Sequence, residues 1–144
     1  MRTIATFCAV ACLLLLASPA ARAADDLADR KVVLQITDGT PEKQELVLNV
    51  ASNLIKHYGP GRVEVEVVAF GPGLPLLLAG NANADRVQSL EAEGVRFDAC
   101  ENTIKGMTKK LGRRPELNPA ATPVPAGIAR LVELNAEGYT LVRP

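Results

Sequence analysis

The amino-acid sequence predicts an α/β domain built on a mainly parallel sheet of about five strands. Three observations carry that prediction. Short apolar, β-branched runs alternate with segments of helical period, and the connections between them are short. The chain of 144 residues is 48% hydrophobic and 22% charged, the composition of one compact domain that can bury a core. Its mean hydropathy of +0.12 argues against extensive disorder.

The N-terminus reads first as an export leader. Arg2 supplies a positive charge, Ile4 to Ala17 runs almost without polar side chains, and Ala21, Arg22 and Ala23 fit the small-x-small pattern of a signal peptidase site. Residues 1–23 are therefore read as a cleaved Sec-type signal, which places the mature protein in the periplasm. The apolar stretch is short for a membrane anchor, and Cys12 sits inside it, not at its end where a lipidated cysteine would lie. Residues 24–30 form a polar lead, and residues 31–144 form the domain, with no segment able to span a bilayer.

Lys31 to Thr37 is a short β-branched run of the kind covered on both sheet faces. Thr40 as N-cap, Pro41 at the first helical position and Glu42 in the first turn open a helix. Leu46, Val47, Val50, Leu54 and Tyr58 are expected on its inner face, and Gly59 and Pro60 end it. Arg62 to Phe70 is the second strand, alternating at first and apolar in its buried second half. Leu74 to Leu78, punctuated by Pro75, reads either as a buried helical turn or as an oligomer or ligand surface. Asn83 offers a cap for a helix through about Ala92, with Val87 and Leu90 inward. Val95 to Ala99 is the third strand, and Glu101 to Leu111 a helix stopped by Gly112. The proline-rich stretch from Arg113 to Pro125 leaves room only for a brief edge strand at Thr122 to Val124. Gly127 to Ala136 is helical, with Ile128, Leu131 and Val132 inward, and Tyr139 to Val142 is the last strand.

Composition excludes several functions. Aromatic residues make up 3% and Trp is absent, so no platform for stacking bases exists. Lys and Arg number 16 against 16 Asp and Glu, and loss of Arg2 and Arg22 with the leader turns that balance slightly acidic, unlike a nucleic-acid binder. One mature cysteine and one histidine, His57, cannot fill a zinc site, and no other metal or cofactor is implied. His57 follows the first helix, at the amino end of the strands, so it cannot serve Cys100 as a protease dyad. Lys109, Lys110, Arg113 and Arg114 form a basic patch read as solvated surface.

Chemistry concentrates at Cys100. In an open α/β sheet, sites gather at the loops after the strands, here Asp38 to Thr40, Gly71 to Gly73 and Cys100 to Asn102. A lone thiol in an exported protein is either buried and inert, paired between chains, or kept for reactivity. At a strand-to-helix junction it faces free N–H groups, which favour thiolate. Lys105 adds to that field, while Asp98 and Glu101 oppose it. Asn102 and Thr103 are placed to cap the helix or bond sulfur, Asp38 to line the opposite wall of a cleft, and the thiol is expected to be partly exposed. A dithiol mechanism is excluded because no second cysteine completes a C-x-x-C.

The segment Phe97 to Thr103, followed by Val124 to Ile128 and Gly138 to Pro144, resembles the DsrE/DsrF-like proteins, and the likeness extends from Lys31 to Pro144. The resemblance implies a three-layer α/β/α fold, homo-oligomers, and a cysteine, mapping onto Cys100, that carries sulfur as a persulfide between a donor and an acceptor protein. Two functions stay open: a sulfur-carrier or thiol-handling protein acting through Cys100, and a noncatalytic oligomeric module that binds a small ligand or partner. Whether the chain is an enzyme is not decided by the sequence.

Overall fold

The computed structural model describes residues 30–144; the leader at residues 1–23 and the lead segment up to residue 29 lie outside the described residues. Strands β1 (Arg30–Ile36), β2 (Val63–Ala69), β3 (Arg96–Cys100), β4 (Ala121–Val124) and β5 (Thr140–Val142) form one sheet in the order β4-β3-β2-β1-β5. Every neighbouring pair is parallel. Helices α1 (Pro41–Tyr58), α2 (Ala84–Ala92), α3 (Glu101–Leu111) and α4 (Gly127–Ala136) connect the strands, with a 3-10 helix at Gly71–Leu77. This is a three-layer α/β/α fold.

Topology decides how the faces are covered. From β1 to β4 the chain always steps toward the same edge, so right-handed crossovers put α1, α2 and α3 on one face. The return from β4 to β5 runs the other way and leaves α4 on the opposite face. The main core accordingly joins Val47, Leu48, Ala51, Val87, Leu90 and Ile104 to Leu34, Val65, Val67 and Phe97. The second core is small, with Leu131, Leu134 and Tyr139 against Val33 and Val68. One helix cannot cover five strands, and the β3–β4 side of that face stays open.

Several local expectations hold. Thr40 caps α1 through a hydrogen bond from the Lys43 N–H, Pro41 is its first residue, and Gly59 ends it at φ 95°. Gly112 closes α3 in the left-handed conformation. The prolines confine β4 to a four-residue edge strand.

Others are corrected. The buried face of α1 is Gln44, Val47, Leu48, Ala51 and Ile55, while Leu46 and Tyr58 are exposed. The helix turns this way because Gln44 is bonded on both sides, its Nε2 donating to the Gly39 carbonyl and its Oε1 accepting from Asn81. In α4 the buried residues are Gly127, Leu131 and Leu134, with Ile128 and Val132 exposed. Of the two readings of Leu74 to Leu78 the buried helical turn holds: Leu74, Leu76 and Leu77 are completely buried within the domain, so this apolar run gives no argument for self-association.

Candidate functional site

Glycines bring the loops after β1 and β2 together. A side chain at Gly73 would strike the Ile36 carbonyl, and one at Gly39 would lie 2.5 Å from the Pro72 carbonyl oxygen. The loop held this way presents the Gly71 N–H to Thr103 Oγ1 at 2.9 Å. The same hydroxyl is among the groups that lower the Cys100 thiol, so it lies between the end of β2 and the sulfur.

Cys100 is the last residue of β3 and the N-cap of α3. It is 5% exposed, so the expected partial exposure is corrected: the segment leading into α4 closes over it. Burial by itself pushes the thiol up. Against burial, the N–H of Gly127, the hydroxyl and N–H of Thr103 and the N–H of Asn102 act on the sulfur, and together they hold it below the ordinary thiol range. Two helix N-termini, those of α3 and α4, therefore converge on one sulfur. Glu101 would oppose a thiolate, but Arg114 grips its carboxylate at 2.6 and 2.9 Å and keeps it below the usual carboxylate range.

The other anticipated residues separate. Thr103 and the Asn102 backbone reach Cys100, whereas the exposed Lys105 lines a depression of about 590 Å³ with Asn102, Val124, Pro125 and Ala126. The charge of Lys105 acts on Glu101. Asp38 is exposed and accepts the Thr40 N–H at 3.1 Å. It borders a separate hollow of about 60 Å³ at the ends of β1 and β5. Since β2 lies between β1 and β3, Asp38 is about 10 Å from the thiol's strand across the sheet.

A second cluster was not anticipated. Under α4, Glu66 is fully buried and Asp98 nearly so. Arg130 Nε donates to Glu66 Oε1 at 2.7 Å and to Asp98 Oδ2 at 3.1 Å, and Arg96 Nε donates to Glu66 Oε2 at 2.7 Å. Arg96 also donates to the Tyr139 hydroxyl, which donates to Glu64. Burial and the neighbouring Glu66 push Asp98 up to about 7, so it is the carboxyl that keeps a proton. Burial raises Glu66 too, but hydrogen bonds from Asp98 and Arg130 and the charge of Arg96 leave it below its ordinary value. The cluster borders an open groove of about 590 Å³ lined by Arg96, Asp98, Thr122, Val124, Ala126 and Arg130, among others. Among the described residues no group of three or more metal-ligating side chains occurs, and no helix is long and apolar enough to cross a membrane.

No family model matches the chain, and no curated protein matches it. Among solved structures it is similar to MTH1491 of Methanobacterium thermoautotrophicum, a protein of unknown function. The likeness has a TM-score of 0.73 at 28% identity and covers 81% of this chain and 100% of that one. It agrees with the three-layer fold.

Proposed function

We propose that this is a periplasmic DsrE-like protein that carries sulfur as a persulfide on Cys100. The observation that supports this reading most is the convergence of N–H groups from α3 and α4 on the Cys100 sulfur. Such a site favours an anion before and after transfer. The Cys100 thiolate attacks the outer sulfur of a donor persulfide, R–S–SH. A new S–S bond forms to Cys100, the donor S–S bond breaks, and the donor leaves as a thiolate, RS⁻. The proton stays on the transferred sulfur or is lost to water, and no external oxidant is required. Delivery to an acceptor thiolate repeats the exchange in reverse. A donor would approach from the depressions on either side of Val124, Pro125 and Ala126. Self-association is part of the same proposal, supported by Ile128 and Val132, which are one turn apart on α4 and 61% and 66% exposed.

The test is the intact mass of the mature protein after exposure to inorganic polysulfide, with Cys100→Ser as control. A gain of one sulfur atom that reductant removes, and that the variant does not show, is expected. No uptake by the wild type would reject the carrier and favour the noncovalent binding module, with the groove beside Asp98 as its seat.

A further inference from the structure

Two contacts join β3 to α4 like the rungs of a ladder. Asp98 and Cys100 are two residues apart on β3 and point to the same sheet face. Gly127 and Arg130 are three apart on α4 and share the helix face that packs there. One rung starts where Cys100 pairs with Val124 at the end of β4, three residues before Gly127, whose N–H acts on the Cys100 sulfur. The other is Arg130 Nε on the Asp98 and Glu66 carboxyls, at 3.1 and 2.7 Å.

The second rung has unusual reach for its position. Arg130 is the α4 side chain that crosses the partly open sheet face to a completely buried carboxylate on β2, its own side chain 24% exposed. Gly127 has no side chain with which to anchor its turn, and a Cβ there would sit 2.8 Å from the Phe70 ring. Leu131 and Leu134 hold α4 to Val33 and Val68 on β1 and β2, and what ties it toward β3, the thiol's strand, is the guanidinium one turn along from Gly127.

We infer that Arg130 is a positioning residue for the Cys100 thiol: its grip on Glu66 and Asp98 holds the first turn of α4 so that the Gly127 N–H stays on the sulfur. The inference rests on Cys100 being the reacting group and adds the element that controls its reactivity. The charged groups around the two rungs come from every neighbouring element. On β2 they are Glu66 and Glu64, and on β3 Arg96, all in the same network. Glu133 on α4 and Glu137 just after it lie 3.6 and 3.9 Å from Arg130. Glu101 and Lys105 belong to α3, with Arg114 beyond it holding Glu101. Tyr139, before β5, and Lys31 on β1 meet Glu64 at the far end, and β4 brings the uncharged Thr122 and Val124 opposite Asp98 and Cys100.

The experiment is the rate of Cys100 alkylation by iodoacetamide against pH in the folded protein, with wild type, Arg130→Gln and Arg130→Lys compared. In Arg130→Gln the midpoint is expected to rise by about half a unit to one unit, so alkylation at pH 7 slows about 3- to 10-fold. Arg130→Lys, which keeps the charge but replaces the planar, fixed guanidinium with a flexible ammonium, is expected between the two. A purely structural role would lower the melting temperature and leave the midpoint alone. A midpoint in Arg130→Gln indistinguishable from wild type overturns the inference, as does the same result in Arg130→Lys should Arg130→Gln fail to fold. Sulfur uptake is not read here, so failure of the carrier leaves this result standing, whereas a wild-type midpoint at the ordinary thiol value rejects the reactive role of Cys100 itself.

Discussion

Gly127 shows how one absent side chain can serve both packing and chemistry. Its hydrogen-for-methyl economy lets α4 start against Phe70 and brings its N–H to Cys100. Gly127→Ala is expected to destabilise the protein by about 1–3 kcal/mol through overpacking and to raise the Cys100 alkylation midpoint. Gly106→Ala makes the control: nothing lies within 4 Å of a Cβ there, in the middle of α3, so the change is expected to be neutral or to stabilise by up to about 1 kcal/mol. Urea unfolding of both variants checks the pair, and equal costs would contradict the packing account. At this scale Cys100 and Thr103 were legible because a lone mature thiol at a strand-to-helix junction has a definite local geometry. Glu66, Asp98 and Arg130 were not, because the first and last are 64 positions apart in sequence and meet only through the topology. A signal did exist. Glu66 shares its alternation with Val68 in a strand whose end is apolar, so a covered face was bound to carry an acid, and a buried acid needs a cation.

The elements themselves were easier to find than their rotations. Pattern and capping locate α1, α3 and α4 because Thr40, Gly112 and the flanking prolines act on a few adjacent residues. Which side of a helix faces inward is a tertiary matter. In α4 the apolar Ile128 and Val132 are turned outward because the sheet below offers Glu66 and Asp98, and Arg130 must face them. An ion pair left half-made in a buried site costs more than two exposed aliphatic side chains. The 3-10 helix makes the opposite point. Its leucines read either as a buried turn or as a surface for a partner, and tertiary packing decides for the first, since they fill the space between β2, β3 and α2. Leu76→Ala is therefore expected to cost about 2–5 kcal/mol of stability and to leave the sedimentation coefficient of the folded protein unchanged. A loss of self-association with stability intact would return this segment to an interface role.

For the molecule as a whole, the parallel sheet leaves one face under a single helix, and the protein closes that face with charge as well as hydrocarbon. This gives its stability a dependence on pH that an all-apolar layer would lack. Asp98, raised to about 7 by burial and by Glu66, keeps in the native state a proton that the unfolded chain releases near pH 4. Its contribution is fully present below the unfolded value and is lost as pH rises through the folded one. Glu66, held below its ordinary value, contributes in the opposite sense, with stability present above about pH 4.5 and lost as pH falls. From pH 5 to pH 7 the Asp98 term is the one that changes. Asp98→Asn keeps a donor toward Glu66 and an acceptor toward Arg130 but has no proton to lose. Relative to wild type, the variant should therefore gain stability as pH rises from 5 to 7, with a slope approaching that of roughly one proton, and the difference should level off above about pH 8. Urea unfolding at pH 5, 6, 7 and 8 reads it directly. Parallel curves for the two proteins would mean that the proton is not on Asp98 and that Arg130 meets two carboxylates beneath α4 throughout that range.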